Sequence, residues 1–213
     1  MASDRENLIA AARAMAARGL SAGTSGNVSL RGAEGILITP SAVPYEELTP
    51  EMIPLLREDG SYEGRFRPSS EWRFHLDVYF SRPEVGGVVH HHAPYCTALS
   101  MARREIPGCH YMVTRFGGGD VRCADYALFG TAELSHAVLA ALEGRTACLI
   151  ANHGALAVGR DVFAALNAAS ELEVLAQQYL LCLQAGGLVL LSDQEIEEAI
   201  NQFATAYRPN TGG

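Results

Sequence analysis

The chain is predicted to fold as an α/β/α layered sheet domain, with helices stacked on a central sheet. Three observations predict this. Helix starts marked by capping residues recur along 213 residues, short β-branched runs bounded by glycine and proline lie between them, and 48% of the residues are apolar. Residues 1–213 show no interdomain linker, internal repeat or low-complexity stretch, so one domain with one substantial core is expected.

The elements follow in order. SDRE at residues 3–6 is a capping box, and alanine-rich helical spacing continues to Gly19. VSLR and ILIT, inside the glycine-dense TSGNVSLRGAEGILITP, read as short strands joined by tight turns. SAVPYEELTPEMIPLL is a proline-punctuated connector, and SYEGRFRP is a short strand and loop. PSSEWRFHLDVYF reads as a second helix beginning near Ser69, with Trp72, Leu76 and Tyr79 or Phe80 on one side. GGVVHHH has the length and branching of a buried strand, and the following APYCTALSMARR reads as a helix. AELSHAVLAALEG is a further helix, TACLIANHG a strand, and about Asp161 to Gln184 a long helix ended by AGG. A second capping box, Ser192 to Glu195, opens the last helix.

Composition excludes several function classes. A net charge of −8 lacks the basic footprint of a nucleic-acid binder. No apolar run approaches a membrane span, and MASDRENL lacks a signal pattern, so the chain is expected in the cytoplasm. Five widely spaced cysteines without a CxxC are expected to be reduced core thiols. All sixteen basic residues are arginine. The absence of lysine removes Schiff-base, pyridoxal-phosphate and P-loop chemistry.

The polar residues that remain admit two readings each. In a strand over 86–92, alternation puts His90 and His92 on one face and His91 on the other. Two imidazoles at that spacing can grip a metal ion, and His153, at the end of an apolar run and before a glycine, can supply a third; they can equally be ordinary polar residues at strand ends. His75, His110 and His136 read as structural. Glu71 is the leading carboxylate, either a first-turn glutamate favoured by the helix dipole or a functional group. Helical spacing also allows a Glu71/His75 ligand pair. Ser69 and Ser70 are N-caps or phosphate-holding hydroxyls, and the SGN turn at 25–27 and TPSA at 39–42 offer further neutral donors. GGGD at 117–120 is a loop and not a P-loop, because no lysine and serine follow it.

Taken together, TSGNVSLR, LITPS, PSSEWRFH, RPEVGGVVHHHA, HYMV, FGT, ANHGALAVG and LSDQEI resemble the class II aldolase/adducin family in order and spacing, from about Thr24 to Tyr207. The likeness is strongest to its small bacterial ketose-1-phosphate aldolases. It implies a three-layer α/β/α sandwich with a mixed, mostly antiparallel central sheet, assembled as a homotetramer with sites at subunit interfaces. It implies a divalent-metal-dependent lyase that reversibly cleaves a ketose 1-phosphate to dihydroxyacetone phosphate and an aldehyde. Fuculose 1-phosphate and 5-deoxy- or 5-methylthio-ribulose 1-phosphate are the candidate substrates. By the same resemblance His90, His92 and His153 hold Zn2+, with Mn2+ or Co2+ as alternatives, and Glu71 is both a ligand of the empty site and the acid/base. Gly26, Asn27, Ser41, Ala42, Ser69 and Ser70 fall where the family binds phosphate. Tyr111 matches a proton donor from a neighbouring subunit, and Phe129 and Tyr207 border the aldehyde end. Ala42 stands where many members have glycine, and Pro94-Tyr95 and TRFGGGD also depart from the pattern, which is expected to reshape the aldehyde pocket. The same metal cradle serves the family's methylthioribulose-1-phosphate dehydratase, ribulose-phosphate 4-epimerase and sugar-acid phosphate decarboxylase, while the adducin branch is a non-catalytic binding domain.

Overall fold

A computed structural model describes residues 2–206. Helix α1 (Asp4–Ala17) starts at the expected capping box: the Ser3 side chain accepts from Glu6 N–H and the Glu6 side chain accepts from Ser3 N–H. Strands β1 (Asn27–Gly32) and β2 (Gly35–Ile38) form a hairpin, extended by the two-residue strands β3 (Leu55–Leu56) and β4 (Tyr62–Glu63). Then follow α2 (Trp72–Ser81), β5 (Gly87–His91), α3 (Pro94–Met101) and β6 (Cys123–Ala124). The chain continues with α4 (Ala132–Ala141), β7 (Ala147–Ile150), β8 (Gly154–Gly159), α5 (Val162–Gln184) and α6 (Asp193–Ala206). Ser192 and Glu195 form the second expected capping box at the start of α6.

The eight strands make one sheet in the order β4-β3-β2-β1-β5-β8-β7-β6, with β6 and β7 parallel and every other pair antiparallel. Strand alternation sends Val89, Leu149, Ala155 and Ala157 into one core layer with α1, α3 and α5, and Val88, Cys148, Ile150 and Leu156 into the other with α2 and α4. This is the mixed, mostly antiparallel α/β/α sandwich expected from the resemblance. All five cysteines are free, and Cys96 and Cys148 are buried.

Leu55–Leu56, read from the sequence as the end of the connector, pairs with β2 as β3, and the structure departs from the sequence reading in three further places. The second helix begins at Trp72, not near Ser69. Pro40 and Pro68 form an antiparallel bridge, Ser69 N–H donates to Thr39 O, and Trp72 N–H donates to Ser69 O, which keeps 68–70 out of the helix. Glu71 is therefore the N-cap residue, with φ −101° and no side-chain cap bond, and is not a first-turn glutamate stabilised by the dipole. Second, GALAVG forms β8, which the sequence reading passed over because glycine and alanine carry little β signal. Third, HYMV opens a 3-10 turn at Tyr111–Phe116, and Cys123–Ala124 forms a short strand between loops.

One long-range contact controls where β5 hands over to α3. Pro94 occupies the first turn of α3, and Ala93 at the N-cap offers no side-chain acceptor. The carboxylate of Glu173 on α5 supplies it instead, accepting from Tyr95 N–H and Cys96 N–H, each at 2.9 Å. An anion on these free N–H groups also meets the positive end of the helix dipole. Glu173→Ala is expected to destabilise the protein by about 1–2 kcal/mol, read as a fall of several degrees in Tm by thermal unfolding.

Candidate metal centre and active site

Four side chains from three parts of the fold converge. His90 leaves β5 on the α2/α4 face, beside Phe74, and His92 follows one residue after the strand. His153 lies in the turn between β7 and β8, where Asn152 takes a left-handed conformation (φ 55°) that asparagine tolerates. Gly154 follows because a Cβ there would come within 2.5 Å of His91 O, so the hairpin can press close to β5. Glu71 arrives from the α2 N-cap. One ligating atom from each of Glu71, His90, His92 and His153 falls within 4.8 Å of the others.

Contacts inside this group set its chemistry. His90 Nδ1 lies 2.9 Å from the carbonyl oxygen of Ala155, which only accepts, so Nδ1 carries the hydrogen. In the neutral ring Nε2 then presents a lone pair, 3.2 Å from Glu71 Oε2 and 2.9 Å from His92 Nε2. Glu71 Oε1 stands 3.1 Å from His153 Nε2 and is buried without an aligned hydrogen bond. Burial by itself would raise the Glu71 carboxyl; positive charge at His90 and His153, with N–H groups turned to the carboxylate, would outweigh burial and hold it well below the usual carboxylate range, whereas neutral rings give it no such support. Burial, followed by His90 and His153, pushes His92 down to about 4, which keeps that ring neutral and able to ligate. Converging lone pairs and a buried carboxylate repel one another unless a cation lies between them. Three imidazoles and one carboxylate are the donor set of a borderline divalent ion, and the Nδ1–H to carbonyl bond on His90 is the outer contact that fixes such a ligand. The residues present fit a divalent metal.

The remaining expected residues are placed as follows. His91 points into the opposite core layer, fully buried, apart from the cluster. His75 does not pair with Glu71 as a ligand: its ring nitrogens bond to Asn27 Oδ1 (2.5 Å) and Ser29 Oγ (2.7 Å). The bonds Ser41 N–H to Arg67 O and Ser69 N–H to Thr39 O lay the TPSA turn beside the PSSE turn, bringing Ser41, Ala42, Ser69 and Ser70 to one region. Ala42 holds φ 59°, the left-handed conformation glycine adopts more readily, so the turn survives the exchange for alanine. Gly26 is needed where it stands, because a Cβ would meet Ser21 Oγ at 2.2 Å and His90 O at 2.8 Å. The Asn27 side chain is 3% exposed and its Nδ2 donates to Glu71 Oε2 at 3.0 Å, so its amide serves the carboxylate directly.

A cavity of about 290 Å³ opens beside the cluster, lined by Ser70, Glu71, His92, His153, Phe129, Tyr126, Leu128 and Asn152 among others. Tyr126, Leu128 and Asn152 are not singled out by sequence reasoning: Asn152 lies within ANHG, and Tyr126 and Leu128 just before FGT, but only the fold brings these side chains to the cavity. A larger groove of about 480 Å³ around Arg31, Arg57, Tyr79 and Phe80 contains none of the four converging side chains. Tyr111 is half exposed, stacks on Phe203 with ring centroids 6.0 Å apart, and does not line the cavity of its own chain. Tyr207 lies outside the described residues. The Pro94-Tyr95 and TRFGGGD departures do not line this cavity either. The Tyr95 hydroxyl accepts from Gln177, and the glycine loop is pinned by Arg145, which donates to Asp120 and Gly117 O.

Fold and site together define a class. The chain belongs to the Class II Aldolase and Adducin N-terminal domain family, whose sequence profile matches residues 6–180. Among its relatives, the 5-methylthioribulose-1-phosphate/5-deoxyribulose-1-phosphate aldolase of Rhodospirillum rubrum is 49% identical over 201 residues, covering 94% of this chain and 91% of that protein. The L-fuculose phosphate aldolase of Escherichia coli is 48% identical over 188 residues, 88% of this chain and 87% of the relative. A solved L-fuculose 1-phosphate aldolase superposes with a TM-score of 0.90 at 37% identity, covering 96% of this chain and 98% of the other.

Proposed function

We infer that the protein is a class II aldolase acting on a ketose 1-phosphate, releasing dihydroxyacetone phosphate and an aldehyde in a reversible reaction. The observation that carries this is the convergence of Glu71, His90, His92 and His153 at the edge of a cavity that also holds Ser70 and Phe129. Two relatives at 49% and 48% identity carry the names of such aldolases and support it.

His90, His92 and His153 would hold the ion, taken to be Zn2+ from the imidazole-rich donor set. When bound, a divalent ion stabilises the negative charge that develops on substrate oxygens, the task a lysine Schiff base performs in other aldolases and that no residue of this lysine-free chain can perform. Glu71 has one oxygen held by Asn27 and the other without an aligned bond. It would move the proton at the carbon that becomes the hydroxymethyl group of the product. The adjoining 39–42 and 67–70 turns would hold the phosphate through neutral hydroxyl and N–H donors, with Gly26 supplying backbone. Tyr111, outside its own cavity, would exchange a proton with the aldehyde-derived oxygen in the site of a neighbouring subunit of a homotetramer, with Phe129 and Tyr207 bordering the aldehyde. Five free thiols and the absence, among described residues, of a helix long and apolar enough to cross a membrane support a cytoplasmic setting.

Fuculose 1-phosphate, 5-deoxyribulose 1-phosphate and 5-methylthioribulose 1-phosphate are expected to include at least one from which the metal-loaded protein releases dihydroxyacetone phosphate in a coupled assay. Release from none of them, with one divalent ion bound per chain, would overturn the aldolase reading in favour of the dehydratase, epimerase or decarboxylase chemistries of the family. A chain that never takes up a stoichiometric ion would favour a non-catalytic binding domain.

A further inference from the structure

Behind Glu71 the layer between β1 and α2 is polar. From α2 and its N-cap come Glu71, His75 and Tyr79, at i, i+4 and i+8 on one helix face; from β1 come Asn27 and Ser29, at i and i+2 on the matching strand face. Around them Phe74, Leu76, Val78 and Val88 form an ordinary apolar core. All five polar side chains are buried: Ser29 and His75 are 0% exposed, Tyr79 2%, Asn27 3% and Glu71 6%. Packing alone does not call for them, since desolvating five polar side chains is costly unless every joint is satisfied.

The joints are satisfied in one sense only. Ionised Glu71 accepts and cannot donate, so Asn27 turns Nδ2 towards Oε2, 3.0 Å away. Asn27 Oδ1 must then accept, and it does so from His75 Nε2–H at 2.5 Å. A neutral His75 with its hydrogen on Nε2 has a lone pair on Nδ1, which accepts from the Ser29 hydroxyl at 2.7 Å. The Ser29 oxygen accepts in turn from the Tyr79 hydroxyl at 2.9 Å. Burial pushes His75 down to about 3, and burial pushes the Tyr79 hydroxyl up, so the first stays neutral and the second stays a donor at physiological pH.

We propose that Tyr79, Ser29, His75 and Asn27 form a one-directional hydrogen-bond chain whose function is to hold the Glu71 carboxylate at a fixed angle, Oε2 restrained and Oε1 turned to the site. His75 is its central positioning residue. Without the His75 donor, the Asn27 amide loses the contact that fixes which end faces Glu71, and the carboxylate gains a second orientation. The proposal rests on the reading of Glu71 as the acid/base.

The test uses full-length, metal-loaded protein. His75→Phe keeps the ring and removes both hydrogen bonds; kcat on the best ketose 1-phosphate of the panel is expected to fall about 10- to 100-fold, with KM and one ion per chain unchanged. His75→Gln, which keeps an N–H donor for Asn27 Oδ1, is expected to recover most of that loss. Wild-type kcat in His75→Phe, or equal impairment of both variants, would overturn the chain. Should His75→Phe fail to fold, Ser29→Ala gives the same reading: a lower kcat at unchanged KM supports the chain, and an unchanged kcat refutes it. Independently of turnover, 15N NMR of the wild-type protein is expected to show His75 protonated at Nε2 and bare at Nδ1; the opposite tautomer refutes the chain. A protein with the expected tautomer that cleaves no substrate would refute the functional reading and leave the hydrogen-bond chain standing.

Discussion

Glu71→Gln is expected to lower kcat by about 10²- to 10⁴-fold, the usual contribution of a positioned acid/base, while the protein still folds and binds one divalent ion per chain. The substitution is nearly isosteric in a site where the side chain is 7% exposed. Asn27 Nδ2 can still donate to an amide oxygen in place of Oε2, so the new side chain keeps its anchor. The amide nitrogen then occupies the place of Oε1, next to His153 Nε2, and can neither accept a proton nor return one. His90, His92 and His153 are untouched, so metal analysis of the purified variant separates loss of chemistry from loss of the ion. Unimpaired turnover with the ion bound would remove Glu71 from proton transfer. Loss of the ion together with turnover would make its main task ligation.

His153→Ala is the complementary experiment. The imidazole is 15% exposed and sits on a hairpin turn, so truncating it removes a proposed ligand without emptying the core, as removal of the fully buried His90 would. Metal affinity is expected to fall by more than the roughly 10- to 100-fold that follows loss of an outer hydrogen-bond partner, and dihydroxyacetone phosphate release is expected to fall with it. A second consequence follows from linkage: an ion that binds only the folded state stabilises it. Chelation is therefore expected to lower the Tm of the wild-type protein and to leave that of His153→Ala nearly unchanged. A variant that retains one tightly bound ion per chain would exclude His153 from the ligand set.

Much of this arrangement was legible before the fold was known, for local reasons. Capping boxes at Ser3 and Ser192 are read within four residues, and both form as expected. The division of the three consecutive histidines needs only the two-residue period of a strand: His90 and His92 join the cluster while His91 turns into the opposite layer. The start of α2 was not legible. PSSE has the composition of a helix start, but pairing of 68–69 with 39–40, a contact across the chain, keeps those residues out of the helix and makes Glu71 the cap. β8 was hidden for a different reason: Gly154–Gly159 earns its place in the sheet from neighbours on both sides, not from its own propensity.

Sequence by itself determined the residue types available for chemistry. It contains histidines at ligand spacing, a carboxylate before them, hydroxyl-bearing turns and no lysine, and these limit the means of stabilising a carbanion to a metal ion. Only the tertiary structure decided what those residues face. Asn27, grouped by resemblance with the phosphate-binding residues, turns its amide onto Glu71, and His75, a possible ligand by helical spacing, becomes the donor behind it. The physical reason is that the direction of a buried hydrogen bond depends on what the partner can still accept or donate. Each partner here lies on another element, brought within 3 Å only when α2 packs across β1.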